Sequence, residues 1–316
     1  MGNEKKLRPV QIFNRSGWFL FMLFIIMTIA QVIITIPVTL LKPEIASDNT
    51  FLIILSAVTY YVIAFPCFVL AMRTVPDSPK REKKKLSVFQ FFGWFFISFA
   101  VINIANLVNV AFAAVYELVF HTEYVDTLNQ IMTKADLPTL IVTVFLAPIF
   151  EELTFRYFLL NKIRKYGDKA AILTTGLLFG LFHMNYSQFI YATALGFVFA
   201  YVVLKTNRIH YSIGLHMLVN FFGGTAGMYV EQSGSKLLNI VFYVLYFAMI
   251  IAGIVYFAFT IEKVHLEAGE ETMERPFCEA GLNPGILTFS VICFIMMHAT
   301  LAMQILTQMM KSGGMI

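Results

Sequence analysis

Long apolar segments recur along the chain, and they constrain its fold more than any other feature of the sequence. Nine can be distinguished, at 17–41, 51–72, 87–119, 138–160, 170–184, 187–204, 209–228, 235–261 and 286–309. A helix needs about 20 apolar residues to cross the hydrocarbon core of a bilayer. Because two of the segments are barely separated, the sequence predicts an all-α polytopic membrane helix bundle with eight or nine transmembrane helices.

The composition supports a membrane protein and argues against other classes. The chain has 316 residues, of which 59% are hydrophobic and 13% are charged, whereas soluble domains are about 45–50% apolar and about 25% charged. The net charge of +4 is small, so we expect the lipid bilayer and no nucleic acid as a partner. The three cysteines form no C-x-x-C pair, which gives no indication of a zinc ribbon or a disulfide framework.

The distribution of basic residues predicts the orientation in the membrane. Lys and Arg are concentrated near the N-terminus, in the loop 73–86 and in the short loops around 161–169 and 205–208, while the alternate loops 42–50, 120–137 and 229–234 are poor in them. Basic loops of membrane proteins face the cytoplasm. We therefore expect an integral membrane protein with its N-terminus in the cytoplasm.

The stretch APIFEELTFR, residues 147–156, places two carboxylates and a guanidinium within apolar sequence. An ionisable group at bilayer depth costs at least about 2.5–3.5 kcal/mol, which makes it a functional candidate. Glu152 and Arg156 share a helix face and can form a structural ion pair. Glu151 is rotated by about 100°, so its carboxylate is expected to face a cavity. The plainer alternative is a helix end in the headgroup region, with both acids solvated.

Two further apolar segments carry polar side chains at helical spacing. His183 lies one turn after Phe179, and His216 and Asn220 share one face of a later helix. Taken singly, they could be a packed histidine and a pair that forms hydrogen bonds between helices. Together with Glu151 they suit hydrolysis of an amide. Glu151 and His183 could activate a water, and His216 and Asn220 could stabilise the oxyanion.

A polar stripe lies on the third apolar segment, where Asn103, Asn106, Asn109 and Glu117 fall within an arc of about 120°. It could be hydrogen-bonded packing against the core or a wall of a substrate cavity. In the last apolar segment His298 stands alone, and we interpret it as structural.

The motifs resemble those of a known family, the CPBP intramembrane proteases, which comprise CAAX proteases and bacteriocin-processing enzymes and are also called the Abi family. Order and spacing are similar for three motifs, namely Glu151-Glu152-x-x-x-Arg156, Phe179-x-x-x-His183 and His216-x-x-x-Asn220. Each motif alone is weakly specific, but three in order within apolar segments are strongly specific.

The resemblance implies an all-helical membrane core, at 138–228, that hydrolyses peptide bonds in a cavity open to the cytoplasm or to lipid. The segments 1–137 and 229–316 would add transmembrane helices without a motif. By motif matching, Glu151 is the water-activating base, His183 its partner, and His216 and Asn220 the oxyanion donors. The implied substrate is a membrane-associated peptide or protein, prenylated for type II CAAX endopeptidases or bacteriocin-like for bacterial relatives. The short loops are more similar to a bacterial member in the plasma membrane.

Alternatives remain for the cofactor and for the function. Two histidines and a glutamate form a common catalytic zinc set, and Glu151, His183 and His216 would then be the ligands. We favour the glutamate mechanism without a metal, because Asn220 is a poor zinc ligand and suits an oxyanion role. A non-proteolytic immunity or regulatory partner protein of the same fold would not need Glu151. A secondary transporter is disfavoured, because no repeat relates the two halves.

Overall fold

The computed structural model describes residues 7–121, 124 and 136–312, and within these ranges the protein consists of helices and connecting loops without a strand. The main helices are α1 (Pro9–Leu41), α2 (Asn49–Met72), α3 (Val88–Phe120), α4 (Leu137–Tyr166), α5 (Asp168–Phe182), α6 (Tyr186–Thr206), α7 (209–232), α8 (Lys236–Lys263) and α9 (Pro284–Ser312). The predicted all-α membrane bundle is therefore confirmed.

Seven of these helices are long and apolar enough to cross a membrane, within the part of the chain that the structure describes. This differs from the expected eight or nine. The segment predicted at 170–184 is α5, which has 15 residues and is about 22 Å long, short of the roughly 30 Å hydrocarbon core. The segment predicted at 209–228 lies in α7, which contains two histidines, Asn220 and the pair Gly223–Gly224, and these lower its hydropathy.

Wide helical turns with five-residue hydrogen-bond spacing interrupt several helices. They span Val58–Ala64 in α2, Ile141–Leu146 and Leu153–Leu160 in α4, and Phe221–Thr225 in α7. Such π-helical turns are rare and frequently occur at functional sites. Three of the four directly flank the polar motifs of α4 and α7, so the backbone is irregular where the candidate residues lie.

The helical hairpin of α5 and α6 packs against most of the other helices. A Cβ atom added at Gly196 of α6 would lie 2.7 Å from the Cα atom of Gly176 in α5, so the two glycines let these backbones approach closely. One apolar cluster joins the hairpin to α1, α2, α4 and α9, and a second joins α6 to α3 and α7. The hairpin thus connects α4 and α7, which carry most of the candidate residues, to the other helices of the two clusters.

The basic loops meet at one end of the bundle. The backbone N–H of Ser78 donates to the carbonyl of Asn161, and the N–H of Lys84 donates to the carbonyl of Thr206. Arg81 forms a 2.8 Å ion pair with the buried Asp168. These contacts bring the loops 73–86, 161–169 and 205–208 together. The distribution of Lys and Arg predicted that these loops lie on the same side of the membrane. That this end is cytoplasmic stays a prediction.

Asp168 has an altered acidity in this cluster of charges. Burial raises the pKa of its carboxyl, but the hydrogen bonds from Arg81 and from the backbone N–H of Glu267 outweigh that effect, and the pKa lies below the ordinary value. Lys205 adds a second cation 3.4 Å away. The carboxylate therefore links the loop 73–86 and the segment after α8 to the start of α5.

The asparagine stripe of α3 forms hydrogen bonds between helices. Asn103 accepts a 2.7 Å hydrogen bond from the hydroxyl of Tyr246 in α8, and Asn109 donates at 2.5 Å to the carbonyl of Ser187 in α6. These bonds favour the packing interpretation over the cavity wall. His298 contacts the hydroxyl of Tyr186 at 3.0 Å, and its structural role stays a prediction.

Candidate active site

The two adjacent glutamates of α4 have different surroundings. Glu152 is fully buried and lies 3.0 Å from the guanidinium of Arg156, which is also fully buried. Arg156 further donates to the carbonyl of Gly196 at 3.2 Å and lies 4.3 Å above the ring of Phe179. The structure thus contains the ion pair that the i,i+4 spacing predicted, and the guanidinium is held from three sides.

Glu152 has a second partner that the sequence did not indicate. Its Oε1 atom lies 3.2 Å from Nδ1 of His216 in α7. A carboxylate can only accept hydrogen bonds, so this contact places a proton on Nδ1 of His216. The ion pair of Glu152 and Arg156 is therefore connected directly to a candidate catalytic residue, across 64 residues of sequence.

Glu151 faces both candidate histidines. Its Oε2 atom lies 4.0 Å from Nε2 of His183 and 3.8 Å from Nε2 of His216, and its side chain is 15% exposed. These separations are too long for direct hydrogen bonds and match groups bridged by one small molecule such as water. The structure therefore brings together three of the four candidate catalytic residues.

The orientation of His183 follows from its position at the end of α5. Its Nδ1 atom lies 2.8 Å from the carbonyl oxygen of Phe179, one turn earlier in the helix. Because a carbonyl only accepts, the proton of a neutral imidazole is on Nδ1, and Nε2 presents its lone pair to Glu151. The spacing of Phe179 and His183 in the sequence therefore determines which nitrogen faces the carboxylate.

The fourth motif residue, Asn220, lies at the end of the regular part of α7. Its Nδ2 atom donates a 2.9 Å hydrogen bond to the backbone carbonyl of Thr143 in α4. An amide nitrogen carries two hydrogens, so one of them is available to a molecule in the cavity between α4 and α7.

A cavity of about 250 Å³ joins these side chains. It lies among α3, α4, α5, α6 and α7, and its apolar walls include several small residues. The lining residues are Ile102, Thr143, Ala147, Glu151, Phe179, His183, Gln188, Tyr191, Ala192, Leu195, His216, Val219, Asn220, Gly223 and Gly224. All four candidate catalytic residues border the same space.

Most of the other lining residues were not predicted from the sequence, and Gln188 and Tyr191 are the largest polar side chains among them. The side-chain amide of Gln188 has no hydrogen-bond partner among the described residues. Gln188 lies five residues after His183, in the first turn of an apolar helix. Its polarity at that position was a signal that could have indicated it.

A zinc site at Glu151, His183 and His216 would need these side chains to move closer together. Zinc ligands at about 2.0–2.1 Å in tetrahedral geometry lie roughly 3.4 Å apart, whereas Glu151 is 4.0 and 3.8 Å from the two histidines. Within 7–121, 124 and 136–312, no group of three His, Cys, Asp or Glu residues is placed to hold a metal ion.

Comparison with known proteins supports the resemblance noted in the motifs. Residues 133–222 match the family model "Type II CAAX prenyl endopeptidase Rce1-like". The chain is 26% identical over 219 residues to the "Putative membrane peptidase YdiL" of Bacillus subtilis (strain 168), a match that covers 66% of this chain and 88% of that protein. The predicted family resemblance is therefore confirmed, and it supports a membrane peptidase of the CAAX type.

A second relative matches over a shorter region. The chain is 34% identical over 82 residues to the "UPF0177 protein YxdF" of Lactococcus lactis subsp. lactis (strain IL1403), a match that covers 26% of this chain and 45% of that protein. No solved structure matches significantly.

Proposed function

We propose that this chain, whose residues 133–222 match the Rce1-like family model, is an intramembrane endopeptidase that hydrolyses a peptide bond with water activated by Glu151. The observation that carries the proposal is the placement of the Glu151 carboxylate within 4.0 Å of two imidazole Nε2 atoms. These groups border a cavity that lies among apolar helices. The cavity would hold the nucleophilic water molecule at a place from which bulk water is largely excluded.

Glu151 and His183 together suit a single water molecule. Hydrogen bonds from a water have lengths of about 2.8 Å, so one water can donate to both acceptors when they are 4.0 Å apart. Its lone pairs then face the cavity. As the water oxygen bonds to the substrate carbonyl carbon, Glu151 takes its proton, and the electron pair of the C=O double bond moves onto oxygen.

Asn220 and His216 would stabilise the resulting oxyanion. Asn220 has one hydrogen of Nδ2 bonded to Thr143 and a second free to donate. His216 holds a proton on Nδ1 against Glu152, so it can donate from Nε2 only as an imidazolium. The Glu152 carboxylate, 3.2 Å from Nδ1, would offset that positive charge once Glu151 has taken the proton of the water. Donors fixed in a poorly solvated site stabilise such an anion strongly.

The intermediate collapses when the C–N bond breaks. Glu151 gives its proton to the leaving nitrogen, so the products are a carboxylic acid and an amine, and Glu151 is again ionised. The acid then passes its proton to the amine, which gives a carboxylate and an ammonium group. No covalent bond to the protein is formed. We favour this mechanism over zinc catalysis because the available side chains supply the base, its partner and the oxyanion donors. A zinc ion at Glu151, His183 and His216 remains the alternative.

The substrate that we propose is a membrane-associated peptide or protein, prenylated or bacteriocin-like, reached within the plasma membrane of a bacterium. The cavity opens among helices long enough to span a bilayer, so a chain held at the membrane could enter it. Small lining residues such as Ala147, Ala192 and Gly223 leave space beside the reacting groups.

Comparative mass spectrometry of membrane and secreted peptides tests the activity and identifies the substrate together. Cells would carry the wild-type protein, Glu151→Gln, or Glu82→Gln as a matched control in an exposed loop. We expect a cleavage product with the wild type and the control, and its complete loss with Glu151→Gln at equal protein level. A cellular function fully retained by Glu151→Gln without any product would instead favour a non-proteolytic immunity or regulatory partner.

A further inference from the structure

The backbone of α4 leaves one carbonyl without its regular partner just before Glu151. In the wide turn Ile141–Leu146, hydrogen bonds connect residues five apart, and the N–H of Ala147 donates to the carbonyl of Val142. The next donor in this register would be residue 148, opposite the carbonyl of Thr143. Residue 148 is a proline, which has no N–H. The Thr143 carbonyl is therefore free to accept a bond from elsewhere.

The structure shows which group uses this carbonyl. Nδ2 of Asn220 in α7 donates to it at 2.9 Å. Pro148 is buried, and Thr143 and Asn220 border the same cavity. Inside a bundle a carbonyl without a partner is costly, so its bond to an amide of another helix is retained. The missing N–H of one helix thus creates an anchoring point for a side chain of the other.

We propose that Pro148 is a positioning residue that orients Asn220. By removing the competing backbone donor, Pro148 reserves the Thr143 carbonyl for the Asn220 amide. That amide is planar, so fixing one of its two hydrogens also fixes the direction of the other, and Asn220 borders the cavity. The inference rests on the oxyanion role proposed for Asn220, although the bond to Thr143 itself does not depend on that role.

Replacing a proline with a purely structural role should have different effects on stability and turnover from replacing a positioning proline. Proline inside a helix is unfavourable relative to alanine, so replacing Pro148 need not lower the stability of the helix. A proline needed only for the shape of α4 should lose stability when it is replaced, and activity would fall with it. A positioning proline should lose turnover while thermal stability stays equal or rises.

A double-mutant cycle in the full-length protein tests this, with kcat, KM and Tm measured for Pro148→Ala, Asn220→Ala and the double variant. Loss of one oxyanion donor costs about 10²–10³ in kcat. We expect Pro148→Ala to lower kcat at least about tenfold with KM little changed. In a protein that already carries Pro148→Ala, the further replacement Asn220→Ala should then lower kcat by a smaller factor than it does in wild type. Pro37→Ala, at an exposed proline inside α1, should leave kcat unchanged. Unchanged kcat in Pro148→Ala, or effects that simply add, would overturn the proposal.

Two further measurements keep the test decisive. If Pro148→Ala does not fold, an amide-to-ester replacement at Val144 weakens the Thr143 carbonyl as an acceptor without changing a side chain. The ester replacement should lower kcat, and full activity would refute the inference.

If the wild type cleaves nothing, the proposed function fails, but the double-mutant cycle can still be evaluated from the Tm values of the four proteins. Asn220→Ala should lower Tm less in the Pro148→Ala background than in wild type, and equal losses would refute the bond's dependence on Pro148.

Discussion

Replacing Glu152 with glutamine should destabilise the protein far more than the same replacement at Glu151. The Glu152 carboxylate is fully buried, 3.0 Å from Arg156 and 3.2 Å from Nδ1 of His216. Glutamine keeps the shape of the side chain but removes its charge, so it leaves the buried guanidinium without its anion. Glu151 borders the cavity and is 15% exposed, so its replacement leaves the ion pair intact.

The size of the effect follows from the contacts of Arg156. Removing one partner of a buried ion pair costs about 3–5 kcal/mol. Arg156 would keep its hydrogen bond to Gly196 and its position above Phe179, so we expect the lower end, about 3 kcal/mol. That equals a change of about a hundredfold in the unfolding equilibrium. For Glu151→Gln we expect the free energy of unfolding to fall by less than about 1 kcal/mol.

The buried thiol of Cys293 provides the assay. Cys67 and Cys278 are exposed and can be replaced by serine, which leaves Cys293 as the one cysteine, inaccessible in the folded protein. A fluorogenic thiol reagent added during heating in detergent then reports unfolding. We expect Glu152→Gln to lower Tm by at least about 5 °C, and Glu151→Gln to leave it nearly unchanged.

A double variant provides the control. Glu152→Gln with Arg156→Leu removes both buried charges and should recover part of the Tm lost in Glu152→Gln, since no unpaired cation remains. The reasoning would be refuted if Glu152→Gln were as stable as Glu151→Gln. It would also be refuted if the double variant were less stable than Glu152→Gln alone.

Three other measurements test separate parts of the structure. Gln188→Leu should raise KM several-fold with little change in kcat, because an amide that lines the cavity without a partner is placed to bind the substrate backbone. A tight chelator should leave the activity of purified protein intact, whereas loss that Zn²⁺ restores would establish zinc catalysis. Asp168→Asn should lower Tm at pH 7. Because the folded-state pKa of Asp168 is depressed, its stabilisation is present above the ordinary Asp pKa of about 3.9, so the difference from wild type should shrink as the pH falls through and below that range.

The sequence by itself determined the class of the fold and the local part of the site. Apolar segments of membrane length can only be helices of a bundle when their composition is so poor in charge. The i,i+4 spacing placed Glu152 beside Arg156 and turned Glu151 to another face, because the helical period depends on local geometry alone. The turn from Phe179 to His183 is equally local, and it sets the orientation of the imidazole.

Only the tertiary structure decided how these local pieces meet. The number of long apolar helices, seven in the described part of the chain, depends on where α5 begins and ends in the structure. The contact of Glu152 with His216 and the bond of Asn220 to Thr143 join helices far apart in sequence. Their distances depend on how helices cross and on π-helical turns that change the register, and neither leaves a periodic pattern in the sequence. Local spacing therefore shows which residues share a helix face, while packing determines which faces form one site.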